Sequence, residues 1–178
     1  MKAISITTVF LIISTLIFAQ NDTGFFKNLE ALKGKTFIGK AIYMPDTTNT
    51  NDFWGKKLSF TVTQQGKKSE LRMPFHVGDN KSRTWVLTKR MNGIQLKHDH
   101  RHDDGSPDSI TNYGGDTDVK ISTALAQYFP ADEFTARLLP AAAKNRWIME
   151  FSHDKKKFYY TLERNNILRF KAEFDLEN

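Results

Sequence analysis

Apolar residues recur at every second position through most of this chain, the spacing that sends side chains to one face of a β-strand. Starting at Thr36 that face carries Phe37, Gly39, Ala41 and Tyr43, followed by Leu58, Phe60 and Val62, then Leu71, Met73, Phe75 and Val77. Later, Trp147, Met149 and Phe151 lead to Phe158, Tyr160 and Leu162, and these to Leu168, Phe170, Ala172, Phe174 and Leu176. Turn chemistry separates the runs at Gln65-Gly66, Gly78-Asp79-Asn80, Asn92-Gly93, His153-Asp154 and Asn165-Asn166. Two stretches show helical spacing instead. In residues 24–35, Phe25, Leu29 and Leu32 share a side and Gly34 is a natural stop. In residues 129–140, Pro130 reads as a first-turn residue, Asp132 and Glu133 suit the N-terminal dipole, and Pro140 closes the segment.

This pattern predicts one all-β domain of about eight to ten sequential antiparallel strands, with a short N-terminal helix and one late short helix. A meander with one apolar face must hide its edges, and closure into an up-and-down β-barrel does so most simply. A two-sheet sandwich is the alternative. The layout resembles the lipocalin-like, or calycin, group, although the Gly-X-Trp signature of lipocalins is replaced here by Gly34-Lys35-Thr36-Phe37.

The first residues change the picture of where the chain works. MKAISITTVFLIISTLIFAQ holds one lysine, an uncharged apolar run and Ala19 as a small cleavage residue, the pattern of a secretory signal peptide over residues 1–19. The run from Ala3 to Phe18 falls short of the roughly 20 residues a transmembrane helix needs. Residues 20–178 are then a single exported domain, periplasmic or extracellular, with no stable membrane anchor. The chain has no cysteine, which excludes both a Cys-modified lipoprotein and a disulfide-stapled scaffold. Removing the signal takes away Lys2 and lowers the formal charge from +6 to +5. The basic residues are scattered; the one triple, Lys155-Lys156-Lys157, falls at an expected hairpin turn, so no stripe for nucleic acid is expected.

The candidate chemistry lies in LKHDHRHDDGSPD, residues 96–108, where His98, His100 and His102 stand at alternate positions. If Asn92-Gly93 forms a two-residue hairpin turn, Met91 faces Ile94, and Leu87, Trp85 and Arg83 lie opposite His98, His100 and His102. The histidines then continue the inward face of Ile94 and Leu96, while Thr84, Thr88, Lys97, Asp99 and Arg101 face solvent. An apolar floor that gives way to a few convergent polar groups is what a ligand pocket needs.

Four readings compete for this face. A small anionic or amphipathic ligand would find a guanidinium fork in Arg83, histidine donors near their ordinary pKa of about 6.5, and a flat wall in Trp85. Tyr113, in TNYGGDT, would close over the opening, freed by Gly114 and Gly115. A zinc ion could take two of the histidines at about 2.0–2.1 Å, as the water-activating centre of a hydrolase; the outer pair, about 13 Å apart at roughly 3.3 Å per residue, cannot share one ion on a straight strand. The histidines could instead be structural, bonding to the DDGSPD loop. Calcium at Asp103, Asp104 and Asp108 fails the EF-hand spacing.

Together PFHVGDNKSRTWVLT, LKHDHRHDDGSPD, TNYGGDT, FPADEFT and RFKAEFDL resemble a family of secreted bacterial proteins that shares the LKHDHRHDDGS block. The resemblance spans Leu71 to Leu176. It implies export and a stand-alone domain, and it transfers no catalytic role. The expectation is a secreted or periplasmic small-molecule-binding protein with Arg83, Trp85, His98, His100, His102 and Tyr113 at the barrel mouth, needing no cofactor. The alternatives are a zinc-dependent hydrolase built on two of His98, His100 and His102, and a structural or protein-interaction module that docks through a strand edge. The oligomeric state stays open.

Overall fold

The computed structural model describes residues 24–45, 53–64 and 66–177; the signal-peptide segment and Gln65 lie outside them. Residues 24–30 form a helix, α1. Ten strands follow: β1 (Thr36–Tyr43), β2 (Leu58–Thr61), β3 (Glu70–Val77), β4 (Asn80–Arg90), β5 (Gly93–His100), β6 (Tyr113–Asp116), β7 (Ala126–Pro130), β8 (Asn145–Phe151), β9 (Lys157–Arg164) and β10 (Ile167–Asp175). A second helix, α2 (Glu133–Leu138), and a 3-10 turn (Pro140–Ala142) lie between β7 and β8.

The strands make one sheet in the order β6-β5-β4-β3-β2-β1-β10-β9-β8-β7, with antiparallel pairing throughout. The sheet curls until β6 and β7 meet, giving the nearly closed up-and-down barrel that the alternation predicts. β3 buries Leu71, Met73, Phe75 and Val77 and leaves the residues between them half-exposed. At the centre, Phe60 meets Phe37, Phe158 and Phe174 with ring centroids 5.3, 5.2 and 4.9 Å away. α1 closes one end: Phe25, Phe26 and Leu29 are fully buried, and Phe25 packs edge-on against Phe151 at 5.4 Å. The other end is left for a cavity.

β6 and β7 do not pair as a ladder. Their seam is clipped by single bonds, Asp118 N–H to the Tyr128 carbonyl (2.8 Å) and Asp132 N–H to the Gly114 carbonyl (2.9 Å). Thr135 Oγ1 accepts from Gly114 N–H (2.7 Å) and donates to the Gly114 carbonyl (2.8 Å). At this seam each edge strand meets the other.

Several expectations need correcting. β7 was not legible as a strand: Pro130 ends it, and the N-cap of α2 is Asp132, whose carboxylate accepts from Thr135 N–H at 2.8 Å. Tyr43 does not share the inward face. A bulge between Ala41 and Tyr43 adds one residue, so Tyr43 pairs with outward Lys171 and Met44 takes the inward direction. A second bulge, between Leu168 and Phe170, sets Leu168 opposite Glu163 and frees Arg169 from the ladder. Asn165 and Asn166, at φ 53° and 59°, form the β9–β10 turn as expected.

The central hairpin also differs. Arg90 pairs with Gly93, so the turn is Met91-Asn92, one position early, and Trp85 lies opposite His98 and Arg83 opposite His100. A two-residue turn of the expected type needs positive φ at both central residues; neither Met91 nor Asn92 has it, and Gly93 takes φ 126° as the first residue of β5. Each pair moves by two residues, so Arg83, Trp85, Leu87, Ile94, Leu96, His98 and His100 keep the inward face expected of them, while Met91, expected opposite Ile94, stands exposed in the turn.

Candidate functional site

A cavity of about 290 Å³ opens at the barrel end opposite α1. Five of the six expected site residues line it: Arg83 and Trp85 from β4, His98 and His100 from β5, and Tyr113 from β6. His102 does not. It lies beyond β5 in an exposed loop, its N–H donating to the Ser106 carbonyl at 2.9 Å, because β5 ends at His100 and the chain turns back on itself there. Nor does Tyr113 close over the opening; it sits opposite His98 as part of the wall.

His98 is 4% exposed and both its nitrogens are engaged. Nδ1 lies 3.1 Å from the Tyr113 carbonyl and Nε2 lies 2.7 Å from the Tyr160 hydroxyl. A carbonyl only accepts, so Nδ1 carries the proton and Nε2 accepts from Tyr160 O–H. The Tyr160 ring also packs against Trp85, with centroids 4.5 Å apart. The result is a buried chain from phenol to imidazole to backbone. Burial pushes the His98 pKa down to about 3, partly offset by the carbonyl bond, and burial raises that of Tyr160 well above the usual phenol range. A Tyr160→Phe variant is expected to lose about 1–3 kcal/mol, because it leaves a buried acceptor without its donor; a chemical-denaturation midpoint equal to the parent's would refute the chain.

His100 is half-buried and differently placed. Its Nε2 lies 3.1 Å from the Tyr113 hydroxyl, and its backbone N–H donates to Thr111 Oγ1 at 2.8 Å. Burial lowers its pKa, Arg83 lowers it further, and Asp108 and Asp99 oppose them. Burial pushes Tyr113 up to about 12. The three histidines thus have three positions: one in the framework, one facing the cavity, and one outside.

The rest of the lining escaped the sequence reading as site residues. Trp147, Tyr160 and Phe170 were legible as inward-facing but not as walls of a cavity, and Met44 and Arg169 reach it through the two bulges. Phe53 had no periodic signal; it stacks over Phe75 at 6.2 Å and 14° and underlies the Arg83 guanidinium at 5.4 Å. The cavity holds two arginines, Arg83 and Arg169, and no carboxylate among its described lining residues.

Cation chemistry has less to stand on. Among the described residues no group of three or more His, Asp or Glu side chains is placed to hold a metal, and zinc at His98 would have to break one of its two bonds. In the DDGSPD loop, Asp104 accepts from Ser106 N–H (2.9 Å) and Oγ (2.6 Å), and Asp108 from Ile110 N–H (2.8 Å), the ordinary bonding of tight turns. Asp99, on the outer face, is buried under Arg72 and Arg101. Among the described residues no helix is long and apolar enough to cross a membrane.

The chain matches no protein-family model, and no curated protein matches it.

Proposed function

We propose that this is an exported binding protein, periplasmic or extracellular, whose barrel cavity takes a small amphipathic anion. The observation that carries this reading is the cavity's composition: aromatic walls, two guanidinium groups and no carboxylate among the described lining residues. Ligand pockets combine an apolar lining with a few placed polar groups in this way. The arginine fork matches a carboxylate or sulfonate, and the neutral His100 imidazole adds a hydrogen-bonding group without adding charge. A space of about 290 Å³ between aromatic walls suits a compact molecule with an apolar body. His98 itself belongs to the structural reading, since its bonds are spent inside the wall.

Naphthalene-2-sulfonate and its uncharged analogue 2-naphthalenemethanol test the proposal through the quenching of tryptophan fluorescence, Trp85 and Trp147 both lining the cavity. The sulfonate is expected to bind at least tenfold more tightly, about 1.4 kcal/mol, and Arg83→Gln to erase that preference. Equal affinities for the two probes, or no saturable quenching by either, would set the proposal aside.

A further inference from the structure

We propose that the ligand's anionic group is received at His100 and Tyr113, and that its arrival loads one proton onto the His100 ring, so that capture tightens as the surroundings acidify. The inference rests on reading the cavity as an anion site.

The geometry supplies the coupling. His100 stands opposite Arg83 of β4, touches the Tyr113 hydroxyl of β6, and shares the cavity with Arg169 of β10. On its own strand it has His98 and Asp99, and from the loop before β6 it feels Asp108. Asp99 and Asp108 favour a proton on His100, while burial and Arg83 disfavour it and prevail. An anion in the cavity offsets Arg83 and adds its own attraction, so the balance moves toward the imidazolium.

The proton also changes what the wall presents. A neutral ring has one lone pair, and with its hydrogen on Nδ1 it accepts the Tyr113 O–H through Nε2. The imidazolium has no lone pair. Its Nε2–H must then donate to the Tyr113 oxygen, and the hydroxyl hydrogen is released toward the cavity. Tyr113 keeps that hydrogen because burial holds its pKa at about 12. One proton taken up therefore gives the anion both a cation and a hydroxyl donor.

Naphthalene-2-sulfonate remains charged at all ordinary pH, so any pH dependence of its binding belongs to the protein. Calorimetric titration between pH 8 and pH 5 is expected to show affinity rising about tenfold for each unit by which binding raises the His100 pKa. Repeating it in buffers of different ionisation enthalpy should reveal uptake approaching one proton. His100→Gln should flatten the profile at the parent's high-pH level, whereas His153→Gln, in the exposed β8–β9 turn, should leave the slope intact. Tyr113→Phe should keep the proton uptake and weaken binding at pH 5 several-fold. NMR titration of the His100 ring in the parent, with and without saturating probe, needs no variant and should show a raised pKa in the complex. Binding with one affinity at every pH and no proton uptake overturns the inference while the anion reading stands. A slope that survives His100→Gln does the same. No binding of the sulfonate at any pH overturns both.

Discussion

Gly115→Val is expected to lose about 3 kcal/mol or more, at the upper end of what overpacking costs, with its urea midpoint falling accordingly. A Cβ on Gly115 would stand 1.8 Å from the Pro130 carbonyl oxygen, 3.0 Å from its carbon and 3.3 Å from the Asp132 nitrogen. All three are backbone atoms of the facing edge, so no rotamer change relieves the clash; β7 must withdraw from β6. The clips on either side, through Thr135 and Asp118, would stretch with it. Gly114 is held as tightly from the other direction, with φ 152° and a Cβ position 2.0 Å from the Leu96 carbonyl oxygen. Two adjacent glycines therefore let β6 lie between two backbones at once. A midpoint within about 0.3 kcal/mol of the parent would mean that the seam does not close as described. Because Tyr113 is the first residue of β6, the same variant should also weaken binding of the sulfonate probe.

Acid should unfold the protein through His98. In the unfolded chain this histidine takes a proton near its ordinary 6.5, whereas in the fold it stays neutral to about 3. The unfolded state thus binds the extra proton over that interval, and stability falls as pH drops from about 6.5 toward 3, by roughly 1.4 kcal/mol per unit from this residue. Above 6.5 the residue contributes no pH dependence. His98→Gln, which removes the titrating ring but keeps a donor and an acceptor, is expected to cut the slope of stability against pH by close to one proton between pH 6 and 4. Denaturant curves at half-unit intervals give that slope directly. Parallel slopes in parent and variant would contradict the buried neutral assignment.

The barrel was legible because its evidence is local and repeated: β3 alternates over eight residues, and each of its apolar positions is buried. The bulges were not, because a bulge keeps the composition of a strand and changes only which way its side chains point. Tyr43 and Leu168 were misassigned for that reason, and Arg169 was missed. β7 was hidden because AQYFP lacks alternation and runs directly into helix-capping residues, so Pro130 fitted a first turn as well as a strand end. At the site, the shared face of Arg83, Trp85, His98 and His100 followed from period two alone and survived a turn displaced by one position. Placing His102 required the true end of β5, which depends on where the loop begins to bond to itself. The role of His98 came in part from the opposite wall: nothing near it in sequence announces Tyr160, sixty-two positions away.

The pairing of β1 with β10 brings nearly the whole length of the chain back on itself, and both strands carry the bulges that shape the mouth. Such a distant contact must overcome the entropy of closing a long loop, a cost that grows with the logarithm of the loop's length, and folds rich in distant contacts form more slowly. The pocket therefore depends on a long-range closure: the β3–β4–β5 meander, with its histidine row, supplies only one side of the wall.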